Sequence, residues 1–254
     1  MRARWLRRWF RLFSDSEGLD LALWQNLRQS MPLLKNLSRE QQRKLQRITD
    51  EFLSRKTLLP AAGFAIDARM KHLIALQACV PLVNLNLNVY RSFDSIIIYA
   101  DEFIPRHALE DENGIVHLDE EPLIGESWYH GPVILSWNDV SHDAFSEGNT
   151  NVVIHEMAHQ IDMLSGDADG VPLLHPDMSR DTWRTILQAA FREHGRLVKA
   201  DEDTVLDPYG AEDPAEFFAV SCECFFKQPR QLRQWNPQWY EQLARLFAWD
   251  TVHK

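Results

Sequence analysis

The stretch NVVIHEMAHQIDMLSG, residues 151–166, decides how this 254-residue chain is read. At about 100° per residue on a helix, Ile154, Met157, Ala158, Ile161 and Leu164 share one apolar stripe, with Val153 at its edge. His155 and His159 project away from that stripe. They sit one helical turn apart on one face, where two imidazoles can grip one divalent ion from the same side. Glu156 falls beside His159 on the polar side, within reach of a water at such an ion. Gly166 supplies a stop for the helix. The bland alternative is a solvated face carrying two ordinary histidines. A helix that buries its back and turns this motif to a cleft favours the metal site.

A tetrahedral zinc site with one open vertex needs a third protein ligand. The best candidate is Glu216, within DPYGAEDPAEFFAVSCECFF at 207–226. From Ala215 to Phe226 the pattern is helical, and Glu216 and Glu223 are the only charges. Seven apart, they fall on nearly the same face. An ionised carboxylate in such apolar company requires a metal or strong hydrogen bonds. The same residues also fit a helix start, with Asp213 as N-cap, Pro214 in the first turn and Glu216 closing a capping box. On residue chemistry alone, ligand and cap stand level. Asp162, Asp167, Asp169 and His175 are further candidates. Asp162, three after His159, suits the orientation of a ligand imidazole. DADG at 167–170 starts like a calcium loop but lacks the remaining ligands, so it reads as a turn.

Outward from these motifs, composition narrows the class. The 45 % hydrophobic content suffices for a sizeable core. No apolar run approaches the roughly 18 residues of a membrane span. A net charge of −10 argues against direct nucleic-acid binding and suits a soluble cytoplasmic protein. Cys79, Cys222 and Cys224 are too few for a disulfide framework and read as small buried apolar residues.

Residues 1–18 stand apart as a basic amphipathic arm. Its first 13 residues, MRARWLRRWFRLF, interleave five arginines with Trp5, Leu6, Trp9, Phe10, Leu12 and Phe13. The arginines interrupt any apolar run, which rules against a signal peptide. The arm reads as packing on the chain's own acidic body, as a peripheral membrane contact, or as a disordered or partner-binding segment. Residues 19–254 read as one compact unit. Helices are expected over Leu19–Leu34, broken near Met31–Pro32, from a capping box at Ser38 and Gln41, and over Asp67–Val80. Ser95–Ala100, Ile115–Leu118 and Val133–Trp137 read as strands, with a turn at Asp111–Gly114. From Asn149 onward the pattern is mostly helical, interrupted at Ser165–Pro176. Helices, then strands, then helices predict an α+β fold. Val133–Trp137 is a candidate sheet edge for an extended peptide.

At this point the chain resembles the Mlc titration factor A family of bacterial zinc metallopeptidases. The likeness rests on PLLKNLSREQQRKL at 32–45, YHGPVILSW at 129–137, NVVIHEMAHQIDMLSGDADGVP at 151–172 and YGAEDPAEFFAVSCECFF at 209–226. It covers nearly the whole chain after the arm. The catalytic half is also similar to the metallopeptidase domain of anthrax lethal factor, which shares a Tyr seven residues before a Glu-Phe-Phe-Ala helix. The resemblance implies a zincin-like fold, helix-rich with a small mixed sheet, and one Zn2+ per chain. It implies His155, His159 and Glu216 as zinc ligands, Glu156 as the catalytic carboxylate and Tyr209 as a group that steadies the oxyanion. It further implies aminopeptidase-like activity on a peptide substrate. It also implies binding of an Mlc-type transcriptional repressor, which links the chain to glucose phosphotransferase expression. One position departs from the wider pattern. Val220, four after Glu216, stands where some gluzincins carry a carboxylate, so another partner such as Glu223 is needed.

Overall fold

The computed structural model describes residues 19–252 apart from 36, 62, 101–107, 111–115 and 119–130, with backbone alone at 108–110 and 116–118. The arm at 1–18, the turn at Asp111–Gly114 and Tyr129 lie outside the described residues.

Short polar side chains set most helix starts. Asp20 caps α1 (Leu21–Ser30), and Pro32 follows its end in a 3₁₀ turn. Ser38 and Gln41 form the expected capping box of α2 (Arg39–Arg55), which buries Leu45, Ile48 and Phe52. Next comes β1 (Thr57–Pro60). Asp67 caps α3 (Ala68–Cys79), whose residues from Leu73 to Cys79 are all buried. A helix stretch buried on every side belongs at the centre of a fold. Then follow β2 (Ser95–Tyr99), β3 (Ala108–Glu110), β4 (Val116–Leu118) and β5 (Val133–Ser136). The C-terminal half contains α4 (Trp137–Phe145), α5 (Val152–Asp162), α6 (Arg180–Lys199), α7 (Pro214–Lys227), α8 (Pro229–Trp235) and α9 (Pro237–Leu246).

The strands divide into two sheets. One has the order β1-β2-β5 with both pairs parallel, and the other is the antiparallel pair β3-β4. In the parallel sheet Thr57 pairs with Ser95, and Ile96 with Val133. The pleat turns Ile96, Ile98, Val133 and Leu135 into the core. The architecture is the helix-rich α+β arrangement that the element order predicts. One boundary differs from the sequence reading, and one strand was not expected. Trp137 opens α4 rather than closing β5, because the Ser136 hydroxyl accepts from the Asp139 N–H, at 3.4 Å. β1 is four residues ending at Pro60, too short to display a period.

The core behind the C-terminal helices is aromatic. Trp183 of α6 meets Trp239 of α9 with ring centroids 5.0 Å apart, and Phe218 of α7 at 6.1 Å. Phe217 lies 5.7 Å from Trp239. Such pairs contribute about 0.5–1.5 kcal/mol each beyond area burial. They anchor the first turn of α7, and so fix where Glu216 emerges.

Candidate metal centre

Asn151 starts α5, its Oδ1 accepting from the Ile154 N–H at 2.9 Å. One turn on, His155 and His159 stand side by side, with ring centroids 4.8 Å apart and planes at 76°. On α7, Asp213 Oδ1 accepts from the N–H groups of Ala215 (2.8 Å) and Glu216 (3.0 Å). Asp213 therefore caps the helix by itself, and the Glu216 side chain turns to the imidazoles. Its Oε2 lies 3.0 Å from His155 Nε2 and 3.5 Å from His159 Nε2. The two Nε2 atoms are 3.1 Å apart.

This triangle fits a divalent ion. Donors held tetrahedrally at about 2.0–2.2 Å are separated by roughly 3.3–3.6 Å. The observed edges need to open by only a few tenths of an ångström. Glu216 Oε2 is buried and lacks a hydrogen-bond partner, which a cation would remedy. The electrostatics agree. Burial works against a charged His155, yet Glu216 and Glu223 outweigh it and lift the imidazole to about 10. Burial would raise Glu216, but the two imidazoles hold it at about 2. The pocket is built for positive charge, and a proton on His155 competes with a metal for it.

Glu156 and Tyr209 lie beside this triangle and feel its charges. Burial pushes the Glu156 carboxyl upward, opposed by His155 and His159. Tyr209 lies on a 3₁₀ turn, Pro208–Ala211, whose Gly210 packs on α7 so closely that a Cβ there would overlap Val220 Cγ2. The Tyr209 ring is 6.1 Å from the His155 ring and 47 % exposed. Burial and Glu216 push its phenol upward, so it remains a hydroxyl donor at neutral pH.

Val220 is thus committed to packing under the Tyr209 turn. The supporting carboxylate comes from Glu223 instead. Its Oε1 lies 2.8 Å from His155 Nδ1, which aims Nε2 at the centre. Its Oε2 accepts from the Asn151 N–H. Asp143 of α4 completes this end of α5, accepting from the Val152 N–H at 2.9 Å. Sequence reasoning missed both Asp143 and Asn151. An Asn directly before an apolar run is a legible cap signal, whereas Asp143 reaches α5 only through the fold.

The other candidates go elsewhere. His175 Nε2 meets the Leu246 carbonyl at 2.9 Å. Asp169 closes a turn onto the Val171 N–H, at 3.1 Å, and faces Arg184. Asp167 is exposed. Asp162 does not orient a ring by a hydrogen bond. One of its oxygens accepts from the Gly170 N–H at 2.7 Å, and the other is buried without a partner. Burial lifts this carboxyl to about 7.

That shift carries a sign. An unfolded Asp ionises near 4, so between about pH 4 and 7 the folded state binds the extra proton and stability falls as pH rises. Asp162→Asn keeps an acceptor for Gly170 and removes the buried charge. In metal-free protein it should gain about 1–3 kcal/mol over the parent above pH 7 and nothing below pH 4. Urea melts at the two pH values check this.

Known proteins resemble this chain along most of its length. Residues 3–248 match the family model described as glucose-regulated metallo-peptidase M90. Curated relatives named Mlc titration factor A include three from different genera. The one from Cronobacter sakazakii is 36 % identical over 88 % of this chain and 84 % of its own. That from Escherichia coli strain SMS-3-5 is 35 % identical over 89 % and 85 %. That from Pectobacterium atrosepticum is 36 % identical over 87 % and 88 %. With a converging His-His-Glu triangle and a match along almost its whole length, the chain belongs to the glucose-regulated metallo-peptidase M90 family.

Proposed function

We propose that the chain is a zinc-dependent, aminopeptidase-like peptidase whose metal ligands are His155, His159 and Glu216. The triangle of edges 3.0, 3.1 and 3.5 Å carries this reading. Two nitrogens and one carboxylate oxygen match the protein donor set of catalytic zinc. When bound, zinc supplies Lewis acidity, acidifying a water and polarising the scissile carbonyl.

The chain's own residues do the rest. Glu156 takes one proton from the attacking water as oxygen joins the carbonyl carbon. The Tyr209 hydroxyl donates to the developing oxyanion. Glu156 then passes its proton to the amine nitrogen as the C–N bond breaks. Ile134 of β5 is partly exposed at the edge of the parallel sheet, among the described residues, and a peptide can add there as a further strand.

Dialysis against a chelator should abolish cleavage of aminoacyl-p-nitroanilides, and one equivalent of zinc should restore it. In the same assay Tyr209→Phe should lower kcat about 10²–10³-fold with zinc content unchanged. Hydrolysis that survives complete metal removal would overturn the proposal.

The relatives' name supports a second role. We infer that the chain binds an Mlc-type repressor in the cytoplasm, so that it acts on transcription without touching nucleic acid. The alternative balance of roles is a repressor-sequestering protein in which zinc has little catalytic importance. The net charge of −10 suits a protein partner over a nucleic acid. Among the described residues no helix is long and apolar enough to cross a membrane.

A further inference from the structure

Gln77 is fully buried on α3, with Leu76, Ala78 and Cys79 beside it equally buried. An amide in such a place is costly unless both its ends are bonded, and an apolar side chain would fill the space as well. Both ends are bonded. Its Nε2 donates to the Leu73 carbonyl at 3.1 Å, and its Oε1 accepts from Asn151 Nδ2 at 2.6 Å. Only one orientation of each amide works. Asn151 must present Oδ1 to the Ile154 N–H, which leaves Nδ2 for Gln77. Reversing Gln77 would set donor against donor at Asn151 and acceptor against acceptor at Leu73.

The bonds continue into the metal centre. The Asn151 N–H donates to Glu223 Oε2, and Glu223 Oε1 lies 2.8 Å from His155 Nδ1. We propose that Gln77 is a positioning residue for the site, acting through Asn151 and Glu223 to hold the His155 ring on the metal. The inference rests on the zinc reading above. It extends that reading to a residue 78 positions before His155, on a helix that carries no ligand. Gln77 fixes Asn151, Asn151 sets the height of the Glu223 carboxylate, and the carboxylate sets the imidazole.

The test is a double-mutant cycle read as zinc affinity by chelator competition. Gln77→Met keeps the bulk and removes the acceptor. It should weaken zinc binding about 10-fold in the parent, the lower end of what supporting partners of a ligand contribute. In a Glu223→Met background no side-chain oxygen remains for the Asn151 N–H, and Gln77→Met should then change zinc affinity less than twofold. A merely structural Gln77 would lower the melting temperature alone, or weaken zinc equally in both backgrounds. Either result overturns the proposal. Asn151→Ser retains a capping oxygen and cuts the Gln77–Asn151 bond from the other side. It should reproduce the loss and be non-additive with Gln77→Met, and it stands in if Gln77→Met fails to fold. A parent that takes up no zinc would instead overturn the metal reading, which keeps the two failures distinct.

Discussion

Glu156→Gln is expected to cut kcat for peptide hydrolysis by about 10²–10⁴-fold while zinc content stays at one ion per chain. The amide is isosteric, so α5 and both imidazoles keep their places. What it loses is the ability to accept a proton from water and return it to the leaving amine. Glu156 is not part of the His-His-Glu triangle, so affinity for the ion should barely move. KM should also hold, because the defect lies in proton transfer rather than in binding. A variant within tenfold of the parent kcat would remove Glu156 from the mechanism. The same protein separates the two proposed roles. If it still captures an Mlc-type repressor at parental affinity, sequestration does not require cleavage. If capture fails with hydrolysis, the repressor is engaged through the catalytic cleft.

Much of this centre was legible in the sequence because helices carry their own ruler. The four-residue spacing of His155 and His159 fixes a shared face whatever the tertiary fold. The apolar run around Glu216 and Glu223 marks two carboxylates that need partners. The sequence could not say whether Glu216 serves as cap or faces the histidines, since Asp213-Pro214-Ala215-Glu216 satisfies either. The fold answers by letting Asp213 cap two N–H groups alone. Nor could it reveal Gln77 or Asp143. Both act across long sequence separations, and a polar residue in a buried helix has no period of its own. β1 was missed for the opposite reason. Four residues ending in proline earn their strand from pairing with β2, not from propensity.

Removing the Glu216 carboxylate should have the largest effect on metal binding. Glu216→Ala is expected to weaken zinc affinity by more than the roughly 10–100-fold that loss of a supporting partner brings, since a direct donor is lost. The helix itself should survive, because its cap is Asp213 and its first turn is held by Phe217 and Phe218 against Trp183 and Trp239. Melting curves then discriminate. Zinc at 100 times its Kd adds about 2.7 kcal/mol to the stability of the parent, and this increment should vanish in the variant at the same zinc concentration. Without zinc the variant should melt somewhat below the parent, because the pairing of Glu216 with His155 is lost, so the zinc-induced increment is the quantity that discriminates. Glu223 still faces His155 in the variant, so no uncompensated charge is left in the interior. If Glu216→Ala retained the parental zinc-induced rise in melting temperature, the third ligand would lie elsewhere, and the short triangle edges would reflect only an ion pair. The contrast with Gln77→Met is quantitative. The carboxylate is a donor to the ion, whereas the buried amide merely aims one, so the loss of affinity should be graded from α7 to α3.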